Sequence, residues 1–331
     1  MKSVRTNLRL SRLLWFIGAV AFASLRLSLP SAAQEPTPKS TQTAASPAAT
    51  ARSFDTPQQA ADALIDAAAH FDQAALMQIF GPDGDDIVFS GEYAQDRKHA
   101  ADFVAEAREK KNVSVDPKSR NRAFLLVGNE DWPFPAPIVK KGTKWSFDAN
   151  AGRQELLYRR IGANELDAIQ LCHGYVEAQY EYALQPHNEY EVNQYAQRII
   201  STEGKQDGLA WQNADGRWDG PVGEKIARAI DQGYDLNSEP YHGYFFKILK
   251  GQGPAAPLGE MDYIIKGVMI GGFALLAAPA EYGVTGVQTF MVSNDGVVYQ
   301  KDSGPSTLEL FKTMELFNPD KSWSPVSDED E

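Results

Sequence analysis

After residue 53, hydrophobic residues first recur at helical spacing and then fall in short extended runs. The helical spacing predicts a helix beginning at Pro57 and capped by Asp55 or Thr56, a short helix 74–80 and a helix 96–110. Extended segments follow and predict strands at 113–115, 123–128, 137–140 and 144–148, the last two joined by a turn at Gly142. Helices followed by strands indicate an α+β domain with helices against one face of an antiparallel sheet.

A long amphipathic helix opens the second half. Apolar residues line one face of segment 155–184, which predicts one long helix or two nearly continuous ones, and Asn164 with Asp167 is predicted to cap the second half. A short helix 195–201, a Gly- and Trp-rich loop 204–223 and a helix 224–232 follow. Strand-like runs close the chain at 244–249, 263–265, 272–277 and 289–292, with a hairpin turn at 294–296 before 297–299. One long helix before an antiparallel meander is again α+β.

The N-terminal residues have the pattern of an export signal. Four cations precede the apolar stretch 13–25, and Ser31-Ala32-Ala33 supplies small residues at the −3 and −1 positions. This predicts a signal peptide 1–33 that is cleaved after Ala33; an uncleaved membrane anchor is the alternative. Residues 34–53 are rich in Pro, Thr, Ser, Ala and Gln, which predicts a disordered linker.

Length and charge narrow the classes of function. The mature chain is long enough for two domains, predicted at 54–152 and 153–323, before an acidic tail 324–331. Removal of residues 1–33 takes away five cations and no acid, so the formal charge moves from −12 to −17. Such an excess of carboxylates disfavours nucleic acid and anionic lipid as partners. Cys172 is the single cysteine, so no internal disulfide forms.

The sequence contains no HExxH, GxSxG, Walker or CxxC pattern. No catalytic residue, cofactor or metal site is therefore predicted. His173 and Glu177 lie four residues apart and could share a cation, but a helix-surface pair is the favoured interpretation. Gly251-Gln252-Gly253-Pro254 begins like a phosphate-binding loop, yet Pro254 removes an N–H that such a loop needs. The apolar run 268–278 is too short to cross a membrane and predicts a buried strand, so no membrane span is expected in the mature chain.

A few residues are candidates for contact with a ligand or partner. His242 lies between Tyr241 and Gly243-Tyr244, where aromatic neighbours can form a cleft wall around a base; the alternative is a histidine at a strand entry that bonds to backbone. In the first domain, Trp132, Asp131 and His99 are candidates for a pocket. Residues 132–137 could also dock a partner through a rigid extended backbone, although an edge segment that blocks strand pairing is favoured.

Two partial resemblances concern the folds of the halves. The helices followed by strands, ending in Gly142-Thr143-Lys144-Trp145-Ser146-Phe147-Asp148, resemble the cone-shaped nuclear transport factor 2-like (NTF2-like) superfamily. Residues 162–302, with Asn164-Glu165, Gly243-Tyr244-Phe245-Phe246 and Gly283-Val284-Thr285-Gly286, resemble the globular half of type IV pilins and pseudopilins. These resemblances imply a cone-like domain followed by a pilin-like domain.

From Phe54 to Trp323 the chain resembles the bacterial exported proteins catalogued as domain of unknown function 2950. The matching segments are Trp132-Pro133-Phe134-Pro135, Arg159-Arg160-Ile161-Gly162-Ala163-Asn164-Glu165, Asp207-Gly208-Leu209-Ala210-Trp211, Pro240-Tyr241-His242-Gly243-Tyr244 and Gly271-Gly272-Phe273-Ala274-Leu275. This resemblance implies no activity. Where such proteins tend to carry an acidic Asp/Gly run, this chain has Pro186-His187-Asn188-Glu189-Tyr190-Glu191, which leaves calcium binding at 188–191 open.

Three hypotheses of function follow from the sequence. The first is an exported, periplasmic or secreted protein, non-enzymatic, that binds a partner protein or ligand of the cell envelope or has a structural role there. The second is an enzyme or small-molecule binder that uses the cone interior of the first domain. The third is an accessory protein of a pilin-like secretion system.

We expect cleavage between Ala33 and Gln34 because signal peptidase requires small residues at −3 and −1 but not at −2. Mass spectrometry of the protein recovered from outside the cytoplasm should give a chain that begins at Gln34. Ala33→Arg should block processing, whereas the neighbouring control Ala32→Arg should leave it intact. Full-length protein with Met1, dissolved in the cytosol, would contradict export.

Overall fold

The computed structural model describes residues 51–82, 84–187, 192–223, 227 and 239–327. The chain forms two compact units, Met1–Tyr158 (unit 1) and Arg159–Glu331 (unit 2). Both contain helices and mostly antiparallel strands, so the predicted α+β class is confirmed. The predicted signal peptide, almost all of the linker, residues 188–191 and the last four residues of the acidic tail lie outside the described residues.

From residue 51, where the described part of unit 1 starts, four helices come before the strands: α1 (Pro57–Ala69), α2 (Gln73–Phe80), α3 (Asp85–Val88) and α4 (Tyr93–Glu109). The side chain of Thr56 caps α1 by accepting the N–H of Gln59 at 3.1 Å, and Pro57 occupies the first turn, where its missing N–H costs nothing. Helix α4 begins three residues before the predicted start. Asp96, in the first turn of α4, is buried. Its burial is tolerated because its carboxylate accepts the backbone N–H and the hydroxyl of Ser90 at 2.8 and 2.6 Å.

The strands of unit 1 form one antiparallel sheet: β1 (Lys111–Val115), β2 (Arg122–Val127), β3 (Trp132–Pro133), β4 (Ile138–Lys141) and β5 (Lys144–Phe147). Their order is β1-β2-β4-β5, and β3 also pairs with β2. The register of β4 and β5 places Lys141 opposite Lys144, so Gly142 lies in a two-residue turn with a φ of +64°. Trp132 and Pro133 pair with β2 as a two-residue strand, and the expectation that residues 132–137 block extra strand pairing stays a prediction.

Aromatic side chains fill the core of unit 1. Phe80, Phe103, Phe134 and Phe147 are at most 4% exposed, and their ring centroids lie 5.1 to 6.0 Å apart in successive contacts. Rings at such distances combine hydrophobic burial with favourable tilted and edge contacts. The region between the helices and the sheet is therefore occupied by the protein's own phenylalanines.

Helix α5 (Ala149–Tyr182) is continuous, and the boundary between the two units falls within it. It begins six residues before the predicted start, where Asp148 Oδ1 accepts the N–H of Ala151 at 3.1 Å. The predicted cap at Asn164 is wrong, because Asn164 lies in mid-helix. Within unit 2, the buried face of α5 carries Ile169, Cys172, Val176 and Tyr182. Burial raises the pKa of the Cys172 thiol to about 12, so the thiol stays protonated.

The elements that follow α5 in the described part of unit 2 are β6 (Arg198–Ile200), β7 (Gly208–Gln212), β8 (Trp218–Asp219), β9 (Tyr244–Leu249), β10 (Gly251–Gln252), β11 (Met261–Asp262), β12 (Ile264–Ile265), β13 (Val268–Met269), β14 (Ala274–Pro279), β15 (Gln288–Ser293), β16 (Val298–Asp302), a 3₁₀ helix (Gly304–Ser306), α6 (Thr307–Thr313) and β17 (Ser324–Pro325). The largest sheet is antiparallel, in the order β17-β16-β15-β14-β9. All six residues of β14 are buried, which confirms the prediction of a buried strand at that place.

Two predictions for the middle of unit 2 are wrong. Residues 195–201 are not helical, since 198–200 form β6 parallel to β7, and the expected loop 204–223 contains β7 and β8. The fully buried side chain of Gln179 explains the first difference. It accepts the N–H of Ala196 and donates to its carbonyl, both at 2.8 Å, so these groups are not free for helical bonds. The predicted helix 224–232 lies, apart from Ala227, outside the described residues.

Within the described residues, no helix has both the length and the apolar character of a membrane span.

Replacement of Gln179 by Ala should lower the free energy of unfolding by about 2–4 kcal/mol, because both backbone groups of the buried Ala196 lose their partner. Gln170, on the exposed side of the same helix, provides the matched control, and Gln170→Ala should change stability by less than about 0.5 kcal/mol. Urea denaturation of the two variants measures the difference. Equal stabilities would show that Gln179 does not hold this segment.

Candidate functional site

One turn of α5 presents polar side chains to two loops of unit 2. Asn164 donates through Nδ2 to the carbonyl of Thr285 at 2.8 Å. Glu165 Oε1 accepts the backbone N–H groups of Val287 and Gln288 at 2.8 and 2.9 Å. These bonds satisfy backbone groups of the connection between β14 and β15, so the connection is fixed to the helix.

The next polar residue of this turn, Asp167, contacts His242. Oδ2 of Asp167 lies 2.5 Å from Nδ1 of His242, although the two residues are 75 positions apart in the chain. Their side chains are 36% and 51% exposed, so the pair is accessible to solvent. The geometry assigns the Nδ1 proton of His242 to the bond with Asp167, and Nε2 is then the nitrogen left for an outside group.

The backbone holds His242 in a tight turn just before β9. Tyr241 and Tyr244 exchange N–H···O bonds of 3.0 and 2.9 Å across the turn, and His242 and Gly243 between them have φ values of +46° and +75°. Positive φ is unusual for histidine and costs about 1–3 kcal/mol. A Cβ on Gly243 would lie 2.6 Å from Nδ2 of Asn164, so glycine is required for the close approach to α5.

Electrostatics and stacking both act on the imidazole. The hydrogen bond to Asp167 raises the pKa of His242 above 6.5, and partial burial only partly opposes this effect. The ring of Tyr241 stacks on the imidazole at a centroid distance of 4.2 Å and an interplanar angle of 26°. Burial, together with the charge of Asp167, raises the pKa of Tyr241, so its hydroxyl stays neutral. The site thus offers a half-exposed imidazole, positively charged at mildly acidic pH, beside an aromatic ring.

A comparison with models of known protein families shows which family the chain belongs to. It belongs to the family of proteins of unknown function DUF2950, whose family model matches residues 51–326. No curated protein matches the chain. No solved structure matches it. The family therefore covers both units of this DUF2950 protein and brings no activity with it.

Tyr244 has a structural role in the DUF2950 fold. It is fully buried, and its hydroxyl donates to the carbonyl of Gln288 at 2.8 Å. Burial strongly raises its pKa. A Cβ on Gly286 would lie 2.2 Å from this hydroxyl, so the loop can pass Tyr244 only as glycine. Tyr244 consequently positions the loop next to the His242 turn and does not face solvent.

The three candidates in unit 1 are not brought together by any described contact. Asp131 pairs with Lys110 at 2.6 Å, and Nε1 of Trp132 donates to Glu130 at 3.2 Å. His99 lies half-buried on α4. Asp131 and Trp132 thus bond to neighbouring polar side chains, and His99 lies on a helix.

Neither a metal site nor a phosphate loop gains support. Among the described residues, no group of three or more His, Cys, Asp or Glu side chains converges. The backbone N–H groups of Gly253, Ala255 and Ala256 donate to Phe317, Asn318 and Gly253 respectively. A phosphate at this loop would find these donors already used. The possible calcium segment 188–191 lies outside the described residues.

Sequence reasoning missed the role of Asp167. The three-residue spacing places Asn164 and Asp167 on one face of a helix, and in the sequence this pattern predicts a cap. Nothing in the sequence relates Asp167 to His242, because their contact depends on how the loop before β9 meets α5. The available sequence signal for Asp167 is its position: an Asp, Asn or Glu in the middle of a predicted helix is a candidate for bonding to a loop that packs against the helix.

Replacement of Asp167 by Asn should lower the pKa of His242, which NMR titration of the imidazole measures directly. Because the folded-state pKa is raised, the stabilising contribution is full below about pH 6.5 and is lost as the pH rises through the folded-state value. The stability difference between wild type and Asp167→Asn should therefore be larger at about pH 5.5 than at about pH 9. Asp215→Asn removes a comparable exposed carboxylate, paired with Arg217, and should leave the titration of His242 unchanged.

Proposed function

We propose that this DUF2950 protein is exported and acts in the cell envelope as a non-enzymatic binding protein. The signal-like N-terminus, the excess of carboxylates and the lack of familiar catalytic motifs support this proposal. Its partner is an envelope protein or a small ligand. Because its single thiol is buried and has no second cysteine to pair with, the exported chain stays folded through its hydrophobic cores and not through an internal disulfide.

The turn Tyr241–Tyr244 is the proposed binding surface, and the Asp167–His242 pair carries the proposal. Strained backbone persists only where its surroundings impose it, and here α5 and the β14–β15 connection impose it on a half-exposed histidine. The tie to Asp167 fixes the imidazole before any partner arrives, so binding loses little side-chain entropy. When the imidazole is protonated, its Nε2–H group, held beside an aromatic ring, suits a carbonyl or carboxylate acceptor on a partner.

For the folds, we propose an NTF2-like cone in unit 1 and a pilin-like arrangement in unit 2. The order of four helices before an antiparallel sheet supports the first proposal, and a long helix before an antiparallel five-stranded sheet supports the second. The likeness of unit 2 to pilins also supports a role as an accessory of a pilin-like system. An experimental structure of each unit would test both assignments.

A catalytic role is the second candidate, and it is favoured by the same pair. A carboxylate that holds Nδ1 of a histidine while Nε2 stays available is the arrangement of an oriented general base. This candidate moves the site from the unit 1 cone, where phenylalanines fill the core, to unit 2. Turnover of an envelope substrate that is lost in both Asp167→Asn and His242→Gln, with the fold intact, would replace the binding proposal.

Photo-cross-linking in intact cells tests the binding proposal. A photoreactive side chain in place of Tyr241, which stacks on His242, should give one discrete adduct, and His242→Ala in the same chain should reduce its yield about tenfold because the acceptor loses its donor. His70→Ala is the matched control, since His70 lies 3.6 Å from Asp66 in another exposed pair. Adduct yields that do not depend on His242 would contradict the proposal.

A further inference from the structure

Strand β1 forms an open edge of the unit 1 sheet. It is the first strand in the order β1-β2-β4-β5, and four of its five residues are exposed, with Val113 partly buried. None of the described residues pairs with its outer side. An edge strand of this kind presents unpaired N–H and C=O groups to any second strand of suitable register.

The pairing with β2 fixes which backbone groups point outward. The N–H of Gly128 donates to Lys110 and the N–H of Asp116 donates to Arg122, so even-numbered residues are the hydrogen-bonded positions against β2. In an antiparallel ladder these positions alternate with positions whose N–H and C=O face the other way. Lys111, Val113 and Val115 therefore direct their backbone groups away from the sheet.

We propose that β1 pairs with β1 of a second copy of this chain, antiparallel and centred on Val113. That register places Val113 opposite its own copy and Lys111 opposite Val115, so all outward-facing residues meet outward-facing partners. The backbone groups of these three residues on each strand then form six hydrogen bonds across the two-fold axis. The two sheets become one continuous sheet, and both open edges disappear.

The side chains of β1 fit this register. No charge faces a like charge: Lys110 comes opposite Asp116, Lys111 opposite Val115 and Asn112 opposite Ser114. Lys110 and Lys111 are bound to Asp131 and Asp62 in their own chain, but they remain 44% and 43% exposed. An ammonium has three donors, so Lys110 can also donate to Asp116 of the second copy.

Other occupants fit this edge less well. A parallel copy in register would place Lys111 beside Lys111, and like charges on neighbouring strands are destabilising. A foreign peptide would need its own sequence match, whereas a second copy supplies one by symmetry. A strand of five residues gives a small interface, so the dimer should be weak and concentration-dependent.

The test uses the full mature chain in sedimentation velocity over a range of protein concentrations. Wild type should show a reversible monomer–dimer equilibrium. Val115→Lys should weaken the dimer about tenfold, because two lysine–lysine contacts form across the axis. Val115→Glu, the matched control, places a carboxylate opposite Lys111 and should dimerise at least as well as wild type. Circular dichroism checks that both variants fold.

A second measurement tests the register and is independent of charge. In Val113→Cys the two introduced sulfurs face each other across a hydrogen-bonded pair with Cα atoms about 5.5 Å apart, within disulfide range, so oxidation should yield a covalent dimer. Lys118→Cys lies in the turn after β1, beyond the end of the paired strands, so its two sulfurs lie well outside disulfide range and should not cross-link. Cys172 is buried and does not compete.

A chain that stays monomeric at every concentration overturns the proposal. So does a dimer that is equally strong in Val115→Lys and Val115→Glu, or one that forms no disulfide in Val113→Cys. If the edge instead binds an added extended peptide while the chain stays monomeric, β1 is a peptide-docking strand and not a self-association strand.

Discussion

Hydrogen bonds from α5 to backbone groups of irregular segments are the interactions on which unit 2 depends. The connections in this unit are long, and a buried N–H or C=O without a partner is destabilising. Along its length α5 supplies those partners: Asn164 to Thr285, Glu165 to Val287 and Gln288, Gln179 to Ala196, Tyr180 to Asn294 and Tyr182 to Gln206. One helix thereby holds four separate segments of unit 2 through side-chain hydrogen bonds.

The His242 turn follows from this arrangement. Because Asn164 and Glu165 hold the β14–β15 connection, Gly286 comes against Tyr244, and Tyr244 fixes the end of the turn that carries His242. Asp167 then completes the contact from the same helix turn. The strained histidine is the outermost member of a network whose inner members are structural, which distinguishes it from the isolated surface pair of Asp66 and His70.

Unit 1 is stabilised in another way. Its core is a set of phenylalanine rings in mutual contact, and Asp131 and Trp132 bond to Lys110 and Glu130. Such a core tolerates an edge strand with little burial, since β1 contributes mainly the partly buried Val113 to it. Unit 1 therefore has a packed core but an exposed edge strand, β1. In the five-stranded sheet of unit 2, by contrast, the edge strand β9 is mostly buried.

Most of the secondary structure was determined by the sequence alone. Helix α1 has its cap at Thr56 and proline at its first turn, β9 has the predicted bounds, and the hairpin at Asn294-Asp295-Gly296 joins β15 to β16 as expected, because each depends on residues close together in the chain. Residues 195–197 were mispredicted as part of a helix because the partner of Ala196, Gln179, is distant in sequence. The pairing of Asp167 with His242 across 75 residues likewise arises only in the fold. Local hydrogen bonding and periodicity are encoded within a few residues, whereas the partner of a buried or half-buried polar group is decided only when packing brings distant segments together.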